Sequence, residues 1–97
     1  MEFEWDDDKR LSNLQKHKLD FKDVHCAFTD TAFVIEDDRE DYGEKRYILL
    51  GTIFERIVVI IFTIRTDVIR IISMRKANKR EQRKYVQEQL GKPGYDD

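Results

Sequence analysis

The stretch Arg65-Thr66-Asp67-Val68-Ile69-Arg70-Ile71-Ile72-Ser73-Met74-Arg75-Lys76-Ala77-Asn78-Lys79-Arg80 changes character twice, and the fold follows from where it does so. Val68, Ile69, Ile71 and Ile72 are β-branched, which suits a strand. Arg65, Arg70, Arg75 and Arg80 recur every five residues, with Lys76 and Lys79 beside the last two. A strand that places arginine between isoleucines calls for an anion, or for carboxylates, over that face. On an unbroken strand Arg70 shares a face with Ile72 and Met74, and Arg75 shares the other with Ile71 and Ser73. The two arginines then point apart, and only a bulge near Ser73 would bring them together. Asn78 followed by Glu81 three residues on is a capping box, so the stretch ends as the start of a helix. Arg70 is therefore expected to anchor the fold, while Arg75, Lys76 and Arg80 at the strand-to-helix corner meet phosphate.

Working outward, the preceding run from Arg56 to Ile64 is apolar at nearly every position, as in a central strand covered on both faces. Lys45–Leu50 alternates, with Tyr47 and Leu49 on one side and Ile48 and Leu50 on the other. Gly51 and Thr52 are expected to begin the turn between these two strands. Ala32–Glu36 forms a short strand, and the acidic segment from Asp37 to Gly43 is the likeliest mobile loop. Near the start, Phe3 and Trp5 alternate with Glu2 and Glu4 in an opening strand. Asp6 is placed to cap a helix running from Asp7 to about His17, with Leu11 and Leu14 as its buried stripe. Asp20 caps a second helix whose apolar stripe is Phe21, Val24, Ala27 and Phe28. The Lys18-Leu19 link between them is so short that Lys18 would take a left-handed conformation, at a cost of about 1 kcal/mol. The last helix spans Lys79 to Leu90, with only Tyr85, Val86 and Leu90 as apolar contacts.

The order β-α-α-β-β-β-β-α, with strands joined by hairpins, predicts an α+β domain: an antiparallel sheet carrying two N-terminal helices and one C-terminal helix. Residues 1–90 are expected to form one domain and residues 91–97 a flexible tail. A 97-residue chain buries roughly 65% of its unfolded surface, enough for one modest core. Its single cysteine, Cys26, excludes an internal disulfide. No signal-like start and no apolar run near the roughly 20 residues of a membrane span point to a soluble cytoplasmic protein.

The net charge of −2 hides a division. Residues 1–44 hold fourteen acidic and six basic side chains, a net of −8, and residues 45–97 hold six acidic and twelve basic, a net of +6. Such asymmetry marks a localised anion-binding face, or else a solvated helix surface. His17, at a helix end between Lys16 and Lys18, is a candidate general acid or base. The alternative is a helix-end histidine bonded to a last-turn carbonyl. His25 and Cys26 are neighbours on a helix, point in different directions, and are expected to serve neither metal nor thiol chemistry. Arginine suits phosphate because its planar fork takes two oxygens at once. Lys76, Lys79, Arg80, Arg83 and Lys84 extend the positive surface, and Tyr85 is a candidate for stacking on a base. There is no Gly-rich phosphate loop, zinc spacing or Ser-His-Asp signature, so no cofactor or metal is expected.

Phe3-Glu4-Trp5-Asp6, then Asn13-Leu14-Gln15-Lys16-His17, Phe21, Arg70-Ile71-Ile72-Ser73-Met74-Arg75-Lys76-Ala77, Arg80-Glu81 and Tyr85 occur in this order. Together they resemble the BrnT family of type II toxins, whose pattern reads F-E-W-D, N-x-x-K-H-G and R-I-I-S-A-R-K-A before a basic helix. Lys18 stands where that family has Gly, and Met74 where it has Ala. The resemblance implies a RelE-like fold and endoribonuclease activity that inhibits translation. It also implies neutralisation by a BrnA-like ribbon-helix-helix antitoxin in a heterotetramer, with operator DNA bound only through that antitoxin. On this reading His17 is the base or acid with Lys16 assisting, and Arg70, Arg75 and Arg80 bind and stabilise the phosphate. Lys76, Lys79, Arg80, Arg83 and Tyr85 bind RNA. Two other readings use the same residues: a non-catalytic RNA- or ribosome-binding module, and an inactive homologue acting only through its antitoxin.

Overall fold

The sheet is built around the most apolar strand. In a computed structural model, which describes residues 1–91, the elements run β1 (Glu2–Glu4), α1 (Asp7–His17), a 3₁₀ helix (Phe21–Ala27), β2 (Phe33–Asp37), β3 (Arg46–Ile53), β4 (Arg56–Arg65), β5 (Val68–Lys76) and α2 (Lys79–Leu90). The strands lie in the order β1-β5-β4-β3-β2, so β4 is central, as its unbroken hydrophobicity requires. The predicted element order holds and the domain is α+β. It is not wholly antiparallel, however: β1 pairs with β5 in parallel, Phe3 opposite Ile69. The intervening chain, including both N-terminal helices, supplies the long connection that a parallel pair needs. The expected tail falls mostly on residues 92–97, which lie outside the described residues.

One face of the sheet is the main core. Leu49, Val58, Ile60, Phe62, Ile71 and Met74 pack there beneath Phe21, Val24 and Ala27 of the 3₁₀ helix. Phe28 stands edge-on to both Phe3 and Phe62, at 5.0 and 5.1 Å between ring centres. The 3₁₀ helix comes so close that a Cβ on Gly51 would sit 2.9 Å from the Ala27 carbonyl oxygen. Gly51 therefore serves this approach inside β3 rather than the turn expected there. The turn falls at Phe54-Glu55, whose φ values of 49° and 69° are both left-handed. Thr66-Asp67 repeats the geometry at 49° and 67° between β4 and β5. Two-residue loops with positive φ at both positions match the twist of a hairpin, even without glycine.

The helix starts follow the sequence. The Asp6 carboxylate accepts from the Lys9 N–H, that of Asp20 from the Lys22 N–H, and Asn78 and Glu81 close a reciprocal capping box. The buried stripe of α1 differs from expectation. Leu11 is 55% exposed, and the side chain turned inward is Asn13. Its reason is the sheet edge: β1 pairs only with Val68–Arg70, which leaves the rest of β5 uncovered. Asn13 Oδ1 accepts from the Met74 N–H at 3.2 Å, and its Nδ2 donates to the Leu19 carbonyl at 3.3 Å.

Lys18 does end α1 in the left-handed region, at φ 61° and ψ 29°. Its Nζ donates to the Gln15 carbonyl in solvent, a contact of little worth. Lys18→Gly is expected to stabilise the protein by about 1 kcal/mol, read as a higher denaturant midpoint at unchanged slope. An unchanged or lower midpoint would show that no strain resides there.

Candidate functional site

The second face of the sheet carries the arginines, and a single extra residue puts them there. Ile61 of β4 pairs with Ser73 and the next residue, Phe62, pairs with Ile71, so Ile72 is an inserted position in β5. A bulge reverses the alternation beyond it. Arg70 lies opposite Thr63 and Arg75 opposite Val59, which are on the same side of β4. The expectation that these arginines point apart is corrected: the bulge places both on the face away from the 3₁₀ helix.

Register then lays out that face in three rows. Asp37, Arg46, Thr63 and Arg70 form the first. Ile35, Ile48, Ile61 and Ser73 form the second, and Phe33, Leu50, Val59 and Arg75 the third. Helix α2 stands over the third row, where Tyr85 and Ala77 pack on Leu50 and Val59. In the middle row Ile48 and Ile61 are half-buried and Ile35 is exposed. Arg39, just past β2, is close enough to Arg75 for the two cations to oppose each other electrostatically.

Most of these cations are held by carboxylates. Arg75 makes two 2.8 Å bonds to Glu81, which hold the Glu81 carboxyl below its usual range despite partial burial. Arg70 reaches Glu4 at 3.6 Å, in keeping with the anchoring role expected of it. Asp37, only 4% exposed, takes Arg39 through two bonds of 2.7 and 2.8 Å and also accepts from the Tyr42 hydroxyl. Chiefly through the Arg39 bonds, its carboxyl is lowered to about 2. The acidic segment after β2 is thus a hydrogen-bonded turn. Lys76, Lys79, Arg80 and Arg83 point into solvent, and among the described residues they make no ion pair. Arg80 and Arg83 line a cleft of about 560 Å³ along α2. Tyr85 is buried at 7%, its hydroxyl 3.4 Å from Thr31 Oγ1, so its ring is packed on the sheet rather than offered to a base.

His17 and Lys16 lie elsewhere, in a groove of about 280 Å³ between α1 and the open edge of β5. Lys9, Ser12 and Asn13 line it from the helix, and Ile72 and Ser73 from the bulge. It contains two lysines, an imidazole and two hydroxyls, with no carboxylate among its lining residues. Arg70, Arg75 and the cations of α2 do not line it. Ser73 belongs both to this groove and to the middle row of the arginine face. The sequence reading missed Lys9, Ser12 and Ser73, although Lys9, Asn13 and Lys16 do recur at helical spacing. It also missed Arg39, which comes from a segment that reads as acidic, and Arg46, at the start of β3. His25 and Cys26 do touch, with Sγ 3.6 Å from Nε2, but no group of three His, Cys, Asp or Glu among the described residues is gathered to hold a metal.

The fold and the site together define a small α+β domain with an arginine-bearing sheet face, a basic terminal helix and a cationic groove whose lining holds no carboxylate. More narrowly, residues 5–81 match the family model of the ribonuclease toxin BrnT of type II toxin–antitoxin systems, and the chain belongs to that family. The family's activity is that of a ribonuclease toxin, and its members pair with an antitoxin protein. No curated protein matches the chain. The matched span includes His17, Lys16, Arg70, Arg75, Lys76, Lys79 and Arg80 and stops before Arg83 and Tyr85. No helix among the described residues is long and apolar enough to cross a membrane.

Proposed function

We propose that this protein is a metal-independent endoribonuclease that arrests translation in the cytoplasm until a BrnA-like ribbon-helix-helix antitoxin covers it. The observation that carries the proposal is the join at Ser73 between the arginine face and the groove of His17. An RNA strand lying across Arg70 and Arg75 runs to the β5 edge, where the groove begins. Lys76, Lys79, Arg80 and Arg83 extend the contact with its backbone.

Cleavage of RNA without metal needs a base for the 2′-hydroxyl, positive charge for the phosphorane and an acid for the departing 5′-oxygen. His17 takes the acid or base part. Lys16, its neighbour in the groove, stabilises the oxygens of the phosphorane. Attack of the 2′-oxygen on phosphorus breaks the P–O5′ bond and leaves a 2′,3′-cyclic phosphate. Arg75, fixed by two bonds to Glu81, holds charge at a set position and needs little rearrangement, and Arg70, 3.6 Å from Glu4, adds charge on the same face. The antitoxin would bind as a heterotetramer and bring operator DNA through its own domain.

The test is incubation of purified protein with RNA in excess EDTA. Products ending in 2′,3′-cyclic phosphate are expected. RNA bound but left uncut under these conditions would favour a non-catalytic binding module, and cleavage only after metal is restored would overturn the metal-free step.

A further inference from the structure

Five arginines of this chain have carboxylate partners: Arg10 with Asp20, Arg39 with Asp37, Arg65 with Glu44, Arg70 with Glu4 and Arg75 with Glu81. Arg46 does not. Its side chain rises in the first row of the sheet face, directly opposite Asp37 in register. That carboxylate is already occupied. One Asp37 oxygen accepts from the Arg39 N–H and Nε, and the other from Arg39 Nη2 and the Tyr42 hydroxyl. Glu44, which also feels the charge of Arg46, is gripped twice by Arg65. The guanidinium of Arg46 lies instead 4.1 Å above the centre of the Tyr42 ring.

This arrangement is costly unless something completes it. Arg46 Nε is buried and has no hydrogen-bond partner. An unpaired polar group of this kind loses its water without recompense. The terminal nitrogens are not buried, and no acceptor among the described residues meets them. The cation–π contact with Tyr42 restrains the guanidinium, so less freedom remains to be lost when an anion arrives. Arg70 stands in the same row, and Arg39 flanks it on the Asp37 carboxylate.

We infer that Arg46, held over the ring of Tyr42, is the group on this face that grips a phosphodiester of the RNA strand. This rests on the reading of the face as the RNA-binding surface and adds the residue that the strand engages first. Arg39, Arg70 and Arg75 supply surrounding charge but are committed to carboxylates. Asp37 and its partners keep the neighbouring carboxylate from capturing Arg46.

The experiment uses the whole protein and a short 2′-O-methyl oligoribonucleotide, which has no free 2′-hydroxyl and so binds without being cut. Anisotropy titrations across a salt series give affinity and salt slope. Arg46→Ala is expected to weaken binding about tenfold. It should also reduce the salt slope by about 0.7, the share of one single-strand phosphate. Arg46→Lys keeps charge but loses the fork, and should restore most of the slope and only part of the affinity. Tyr42→Leu, which removes the ring beneath Arg46, should weaken binding. Should Arg46→Ala prove unfolded by circular dichroism, Arg46→Lys and Tyr42→Leu carry the decision. Parent-like affinity and slope in the Arg46 variants, with the parent binding normally, would overturn the role of Arg46 alone. No binding by the parent would overturn the RNA reading of the whole face.

Discussion

His17→Ala is expected to lose roughly 10²–10⁴-fold of the RNA cleavage rate while the protein stays folded. The expectation rests on position. His17 ends α1, half-buried in the groove, and no core cluster includes it. Its removal therefore takes little packing away, and the melting temperature should move by no more than a few degrees. Lys16→Ala removes a charge that stabilises the phosphorane, for an expected loss of roughly 10²-fold. Single-turnover rates at saturating protein separate these effects from binding. Cleavage by His17→Ala within threefold of the parent, on a protein of unchanged melting temperature, would remove His17 from the chemistry. The groove would then be a feature of the β5 edge alone.

The largest stability effect is expected at Asn13. It is only 9% exposed and joins two buried backbone groups, the Met74 N–H and the Leu19 carbonyl. Asn13→Ala leaves both without partners, at about 1–3 kcal/mol each. A total of about 2–6 kcal/mol is a large part of the 5–15 kcal/mol typical of a small domain. For a domain of this size it should lower the melting temperature by about 10–30 °C. Asn13→Leu restores volume without hydrogen bonds and separates the two causes. It should remain nearly as unstable as Asn13→Ala. A leucine variant as stable as the parent would mean that packing alone holds α1 against β5. Because Asn13 also lines the groove of His17, the alanine variant should lose activity through misplacement of the helix, most visibly near its lowered melting point.

Much of the fold was legible because its signals are local. Asp6, Asp20 and Asn78 each cap the helix they were expected to cap, and the apolar run of β4 does become the central strand. The failures share a cause in partners distant along the chain. Nothing local distinguishes Ile72 from Ile71; only the register against β4 makes Ile72 the inserted residue. Gly51 reads as a turn because a turn is the usual reason for glycine, but here the reason is Ala27 overhead. Asn13 looks like a surface residue until the uncovered edge of β5 appears beside it. At the candidate site, His17 and Lys16 could be named from their type and neighbourhood. Arg46 could not, because its distinction is a buried Nε without a hydrogen-bond partner, and that depends on where every nearby carboxylate has gone.

Glu81 gives the corner between β5 and α2 an unusual economy. Its Oε1 accepts from the Asn78 N–H to close the helix cap, while both its oxygens hold Arg75 on the strand. One side chain is thus a rivet through two parts. The Arg75 bonds hold its titration below the ordinary glutamate range, so it strengthens the native state above that range. That contribution is lost as pH falls through the lowered value. Acid therefore weakens the end of the last strand and the first turn of the last helix with the same proton.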